Sequence, residues 1–333
     1  MPKSFQGPKV VVIGGGTGSF TLLTHLKHYV PDITALVCMA DDGGSTGQLR
    51  DEYGVLPPGD IRQCLVALSE NPRVRDLFNY RFEDSALKGH AFGNLFLTAL
   101  EKMTGSFAEA VELASEVLNI TGHVEPITLT NVVLCAEGKD GRPIKGESTI
   151  GRSHTIADHP KIWLEPNAQA NPAALAAIAQ ADVVVIAPGD LYDSLAQALV
   201  VQGVGEALMK TAATCVYVCN LVTKPGPTQQ FKVHDFADEI ERLAGYAFLD
   251  HVLYNTATPS RELMSKYMRD GEFMVEADLS ELQHHHYAAS GAPVLASHAW
   301  DGHDANDPLS SERSLIRHDS DATARQLMRI YFA

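Results

Sequence analysis

The hydrophobic pattern opens with Val10–Ile13, a continuous β-branched run that ends in glycines and reads as a strand buried on both faces. A helix over Ser19–His28 follows, with Phe20, Leu22, Leu23 and Leu26 inward, and Ile33–Met39 forms the next strand. Strand, glycine turn, helix and strand in this order predict a right-handed βαβ unit. Pro57-Pro58-Gly59 lead into a helix beginning at Asp60, with Ile61, Leu65 and Leu68 on one stripe. Phe92–Met103 and Phe107–Leu118 give two more helices. The period then changes. Short alternating runs at Val124–Ala136, Ile144–Ile150 and Ile162–Leu164, with a turn at Lys139-Asp140-Gly141, predict an antiparallel β excursion over residues 121–165. The earlier pattern returns with a helix at Pro172–Gln180, a strand at Asp182–Ala187 and a helix at Leu195–Met209. Cys215–Cys219 is a strand, Phe236–Leu243 a helix, and Phe248–Tyr254 the last central strand. Residues 281–313 are rich in His, Ser, Asp and Gly and read as a surface insertion.

This is the pattern of an α/β fold: a Rossmann-like parallel sheet flanked by helices, in one domain over residues 9–333. Composition narrows the partners. With 26 Lys plus Arg against 41 Asp plus Glu, the chain carries a formal charge of -15. It has no Lys/Arg run to offset that charge, so nucleic acid is not an expected partner. A phosphate ligand stays allowed, because backbone N–H groups at helix N-termini hold anions without side-chain charge. No apolar stretch approaches the roughly 18 residues that cross a bilayer, so no membrane contact is expected. Met1–Lys9 is too polar for a secretion signal, and five cysteines in mostly apolar surroundings read as reduced thiols of a cytoplasmic protein.

Candidate chemistry gathers where strands end. Gly14-Gly15-Gly16-Thr17-Gly18 lies between the first strand and the first helix, where glycines admit a sharp turn and close approach of a phosphate. No Lys follows as in a Walker loop, and Ser19 replaces the third glycine of a dinucleotide fingerprint. Asp41-Asp42-Gly43-Gly44-Ser45-Thr46-Gly47 closes the second strand. Asp41 and Asp42 are candidate Mg²⁺ ligands or a catalytic base, or simple turn-forming acids; Gly43, Gly44, Ser45 and Thr46 are candidate phosphate contacts. Asp60 suits a helix N-cap, and Arg62 reads as a phosphate contact with equal weight. His90 and Asn94 line a further helix start, where Asn94 is either a site residue or a cap. Asp190, Tyr192, Ser194 and Asn220 follow two later strands. Their convergence at one carboxyl edge is the strongest sign of a site. His284-His285-His286, with His298 and His303, lacks zinc-site spacing and reads as a solvated loop.

Taken in order, these motifs resemble the CofD-like superfamily and its YvcK branch. The resemblance adds Leu49-Arg50, Leu56–Arg62 with Cys64-Leu65, Gly89-His90, Gly93-Asn94-Leu95, Gly146-Glu147 and Tyr217–Asn220, and spans roughly Lys9 to Ala333. It implies binding of UDP-sugars such as UDP-N-acetylglucosamine, with a role in carbon metabolism, cell-wall synthesis and cell shape. It also implies that Tyr267 and Arg317 contact that ligand. For the CofD branch it implies a Mg²⁺-dependent transferase that moves a phospholactyl-type group from a guanosine diphosphate donor to a deazaflavin.

The chain departs from the family at two places. Ala187-Pro188-Gly189-Asp190-Leu191-Tyr192-Asp193-Ser194 stands for the usual Gly-Pro-Gly-Ser-Leu-Tyr-Thr-Ser, and Val222-Thr223-Lys224-Pro225-Gly226-Pro227-Thr228 for Met-Thr-Gln-Pro-Gly-Glu-Thr. Two added carboxylates would repel a phosphate unless a cation or a sugar hydroxyl meets them. The expectation is a nucleotide-diphosphate or UDP-sugar binder, homo-oligomeric, with a transferase as the alternative. An NAD-dependent oxidoreductase is a weaker third reading, since no hydride-transfer acid or base stands out.

Overall fold

In the computed structural model, which describes residues 7–297 and 315–333, the Val10–Ile13 run lies inside a seven-stranded sheet. Strand β1 (Lys9–Gly14) is buried at every position but its first, as a strand covered on both faces requires. Helix α1 (Gly16–Leu26) leads to β2 (Asp32–Val37), parallel to β1. Helices α2 (Gly44–Tyr53), α3 (Pro58–Leu68), α4 (Pro72–Asn79), α5 (Phe92–Thr104) and α6 (Phe107–Leu118) intervene before β3 (His123–Pro126), which pairs with β2. A separate antiparallel sheet follows, with β4 (Val133–Glu137) between β5 (Pro143–Lys145) and β6 (Ile162–Glu165). The short α7 (Glu147–Gly151) sits between β5 and β6.

The chain then crosses to the other side of β1. Helix α8 (Pro172–Gln180) feeds β7 (Val183–Ile186), and α9 (Ala196–Leu199) with α10 (Val204–Lys210) feeds β8 (Thr214–Val218). Helix α11 (Val233–Ala244) feeds β9 (His251–Asn255), and α12 (Arg261–Arg269) with α13 (Leu279–Leu282) precedes β10 (Ala288–Ala292). Helix α14 (Ser320–Phe332) packs on α1. The strand order is β10-β9-β8-β7-β1-β2-β3, with every pair parallel. Strand order therefore reverses between β1 and β7. At such a switch point the loops beyond the carboxyl ends diverge and open a crevice. Among the described residues no helix is long and apolar enough to cross a membrane.

Several elements differ from the sequence pattern, each for a local reason. The helix expected from Ser19 starts three residues earlier, because Gly16 takes φ 58° and turns the chain directly into α1. The excursion is shorter than residues 121–165: His123–Pro126 joins the main sheet, and Ile144–Ile150 divides at Gly146 into β5 and α7. Leu195–Met209 is not one helix. A π-helical turn at Leu191–Leu195 precedes α9, and Gly203, with φ 99°, separates α9 from α10. Phe248–Tyr254 is not the last strand, since Ala288–Ala292 adds β10 from within the expected insertion. That segment, Ala-Ala-Ser-Gly-Ala, has no β-branched or aromatic residue to announce a strand.

Residues 298–313 of that stretch, with His298 and His303, lie outside the described residues. His285 Nδ1 meets Asp238 at 3.2 Å and His286 Nε2 meets Glu241 at 3.1 Å, so this end of the stretch is fastened to α11 rather than solvated throughout. Among the described residues no group of three or more His, Cys, Asp or Glu is arranged to hold a metal ion.

Candidate functional site

The loops expected to converge do meet at the carboxyl rim. Gly18 packs so closely on the loop after β7 that a Cβ there would overlap the Pro188 carbonyl oxygen. Asn220, after β8, donates from Nδ2 to the Gly189 carbonyl at 2.7 Å, and Ser194 lies beside Gly189. Asn220 Oδ1 in turn accepts from the Tyr217 hydroxyl at 2.9 Å. Across the crevice, Gly59 of α3 sits against Thr46 and Asp41, and Asp60 reaches back to Gly15 and Gly16. Thr17, Ser45 and Asn220 thus share one rim. The helices that start there, α1, α2, α3 and α5, have Gly15, Gly43, Pro57 and Ala91 at their N-caps and no side-chain cap. The cap side chains therefore leave the first-turn N–H groups unanswered, although the Gly16 N–H meets Asp60, the Phe92 N–H the Tyr80 carbonyl and the Asn94 N–H the Ala91 carbonyl.

Behind the α2 terminus runs a chain of polar contacts. Arg62, only 5% exposed, donates from Nε to Asn94 Oδ1 at 2.9 Å and from Nη1 to Asn79. Asn94 Nδ2 donates to Ser45 Oγ at 3.2 Å, and Ser45 Oγ lies 2.9 Å from His90 Nδ1. Asn94 is not the cap of its helix: α5 starts at Phe92, which places Asn94 inside the first turn. Arg62 lies beneath the rim and orients Asn94 there.

The rim is more acidic than the sequence pattern suggests. Asp60 is likewise not an N-cap: α3 starts at Pro58, and the Asp60 carboxylate stands in the glycine loop, where it accepts the Gly16 N–H. Burial, then the charge of Asp41, lifts Asp60 to about 7. Asp41 is raised by burial, against hydrogen bonds from Gly43 and Thr46. Asp42 Oδ1 accepts the Ser148 N–H at 2.9 Å, which ties the second strand's end to α7. Glu147 is pushed to about 9 by burial and then by Asp193, Asp41, Asp60 and Asp42. Sequence pattern alone did not single out Glu147, and its only signal was the Gly146-Glu147 pair within the family resemblance.

The two departures from the family pattern answer each other. Asp190 accepts the N–H groups of Tyr192 and Asp193 at 3.2 and 3.3 Å, and its carboxylate pairs with the Lys224 ammonium. Lys224 also stands 3.6 Å from Asp193. Burial would raise Asp190, but Lys224 overcomes it and holds Asp190 below the usual carboxylate range. Asp193 is lifted to about 8 by burial and then by Asp190. The cation anticipated for these extra carboxylates is thus the chain's own.

Two candidates are already engaged. Tyr192 is 3% exposed and donates its hydroxyl to Glu239 at 2.8 Å, so its side chain belongs to the interior. The expectation of a ligand contact there gives way to a buried polar network that includes Arg242 and His159. Tyr267 is 8% exposed, and its hydroxyl accepts the N–H groups of Leu315 at 2.7 Å and Ile316 at 3.0 Å. It pins the segment that carries Arg317, whose carbonyl accepts from Ala296.

Carboxylate oxygens are the right donors for Mg²⁺, which is commonly held by one or two carboxylates completed by phosphates and water. Asp41 raises the affinity of Asp60 for positive charge, and the two carboxylates offer that donor set. Asp42 is committed to Ser148 through one oxygen.

Comparison with known proteins bears on the family and the fold. The family described as 2-phospho-L-lactate transferase CofD matches residues 10–295. A protein of Nostoc sp. is 46% identical over 331 residues, covering 98% of this chain and 69% of its own length. The gluconeogenesis factor of Bacillus subtilis is 39% identical over 326 residues, covering 97% of this chain and 98% of its own. A crystal structure of a Bacillus halodurans protein has a TM-score of 0.87 at 34% identity, over 97% of this chain and 99% of that one.

Proposed function

The chain belongs to the CofD family, on the side of its gluconeogenesis-factor relatives, and we propose that it binds a UDP-sugar together with Mg²⁺ at the β1/β7 rim. The observation that carries this reading is the gathering of four helix N-termini without side-chain caps around one crevice. Such termini attract anions through their N–H groups and dipoles. A bare diphosphate would meet Asp41, Asp42, Asp60 and Glu147, so its charge calls for a companion cation. Asp41 and Asp60 would hold that Mg²⁺, and its chemistry would be to neutralise the diphosphate oxygens. Gly14–Gly18, Gly43–Thr46 and Asn220 would surround the phosphates, while Arg317 would approach the nucleotide or sugar end.

In this reading the protein is a cytoplasmic, homo-oligomeric sensor that links UDP-sugar supply to carbon metabolism, cell-wall synthesis and cell shape. The transferase alternative draws on Asp60, whose carboxyl titrates at about 7 and suits a base beside a phosphorus centre, and on Glu147, which its shift to about 9 keeps protonated at neutral pH and suits to the role of acid. A thermal-shift panel of UDP-sugars, UDP, GDP, GTP, NAD and NADP with and without Mg²⁺ separates the readings. A UDP-sugar at a hundred times its dissociation constant should add about 2.7 kcal/mol, and only with Mg²⁺ present. Stabilisation by NAD alone, or by no nucleotide, would refute the proposal. Release of a transferred group from a guanosine diphosphate donor would favour the transferase.

A further inference from the structure

We propose that Ser45 donates a hydrogen bond from its hydroxyl to the ligand's phosphate and that His90 takes up a proton from solvent as it does so. The inference rests on the reading of the rim as a diphosphate site. It follows from counting donors and acceptors. Arg62 can only donate, so the Asn94 oxygen must face Arg62 and the Asn94 amide nitrogen must face Ser45. Asn94 is 2% exposed and Arg62 5%, and a Cβ on Gly93 would crowd Arg62 and Phe78, so packing locks this orientation. Ser45 has one proton and two lone pairs, and Asn94 occupies one of the lone pairs. Its other partner is His90 Nδ1 at 2.9 Å; with the ring's hydrogen on Nε2, the hydroxyl donates to Nδ1 in the absence of ligand.

A phosphate oxygen accepts only, and it competes for that same proton. Once Ser45 turns to the phosphate, its second lone pair faces His90 Nδ1. His90 is 8% exposed, so water does not relieve the clash of two acceptors, and Nδ1 must carry a hydrogen. The phosphate's negative charge favours reaching that state by protonation. Charged groups on neighbouring elements are Arg62 on α3, Arg81 on the Gly89 carbonyl, Arg50 on the Asp41 carbonyl, and Asp41 and Asp42 ahead of α2. The arginines oppose the added proton, and the carboxylates and phosphate favour it. Ser45 and His90 are therefore positioning residues that tie anion binding to a proton.

Calorimetric titration of the full chain with UDP-N-acetylglucosamine plus Mg²⁺, and separately with pyrophosphate, in two buffers of different ionisation heat counts the protons exchanged. Asp60, Glu147 and Asp193 also exchange protons on binding but are retained in Ser45→Ala, so the test is a difference between variants. Wild type should take up as much as about one proton more per ligand than Ser45→Ala, and Ser45→Thr should match wild type. The nitrogen NMR signal of His90 Nδ1 should move from the bare to the protonated position on binding. Equal proton counts in wild type and Ser45→Ala, or an unmoved His90 signal, would overturn the inference. Proton uptake with pyrophosphate but no binding of the UDP-sugar would keep it and remove the sugar reading. Failure of both ligands to bind would remove both.

Discussion

Helices in this chain begin in two ways. Away from the rim, α4, α6, α8, α12 and α14 start at Asn71, Ser106, Asn171, Ser260 and Asp319, and each of these side chains accepts a first-turn N–H. At the rim, α1, α2, α3 and α5 start at Gly15, Gly43, Pro57 and Ala91, whose side chains offer no such acceptor, although the Asp60 carboxylate meets the Gly16 N–H of α1. A side-chain cap stabilises a helix by about 1 kcal/mol, so four missing caps in one place leave a local deficit. Helices α9, α10 and α11, opened by Leu195, Gly203 and Lys232, also start without an accepting cap side chain. Clustering, more than the missing caps themselves, is what supports the proposal that an external acceptor binds at the rim.

The largest expected effect separates close packing from capping. Gly18→Val places a branched side chain into the Pro188 carbonyl and should cost more than about 4 kcal/mol, or prevent folding, in urea denaturation. Gly105→Ala, at the left-handed C-cap of α5 with open space around it, should cost only about 1 kcal/mol. Equal losses would mean that the glycine loop is only a turn.

Next in size is the response to pH. Asp60, Asp193 and Glu147 titrate higher in the folded chain than in the unfolded one, so protonation favours the fold. Their contribution is complete below about pH 4 and is lost as pH rises through about 7, 8 and 9 respectively. The ligand-free melting temperature should therefore climb as pH falls from about 9 to about 6, and Asp60→Asn should flatten the lower part of that rise by roughly 2 kcal/mol. Mg²⁺ should shrink the slope by stabilising the charged forms. A melting temperature that falls over this range would contradict the rim electrostatics.

Lys224→Gln leaves Asp190 and Asp193 without their cation and should destabilise by roughly 2 kcal/mol, allowing for the half-exposed Lys224 side chain. The triple change Asp190→Ser, Asp193→Thr, Lys224→Gln removes all three charges and should recover most of the loss. A triple variant as unstable as the single would show that the three residues are not a unit. The smallest effects address the caps directly. Asn171→Ala should cost about 1 kcal/mol with UDP-sugar affinity unchanged. Ala91→Ser, which supplies α5 with a cap in already extended geometry, should stabilise by roughly 0.5 kcal/mol and weaken the ligand.

How far the sequence could be read follows the same division. The βαβ start, the glycine loops and α6 or α8 were legible because local pattern and capping residues decide them. β10 was not, because Ala288–Ala292 is held as a strand by its pairing with β9 rather than by its composition. The candidate site was legible as an address: Gly14–Gly18, Asp41–Thr46, His90, Asn94 and Asn220 do share the rim. Its charge was hidden. Asp60 enters the glycine loop and Glu147 joins it from α7, both by contacts far apart in sequence. Tyr192 looked available from its place after a strand and Tyr267 from the family resemblance, and neither gives a hint that Glu239, or the Leu315 and Ile316 N–H groups, will occupy the hydroxyl.

Amide hydrogen exchange with and without UDP-N-acetylglucosamine and Mg²⁺ tests the central claim most directly. Slowed exchange is expected over residues 15–18 and 43–47, where a bound diphosphate would give first-turn N–H groups an acceptor, and unchanged exchange over 106–110 and 171–175, which their own side chains already cap. Protection confined to the capped helices, or spread equally over both sets, would contradict the account.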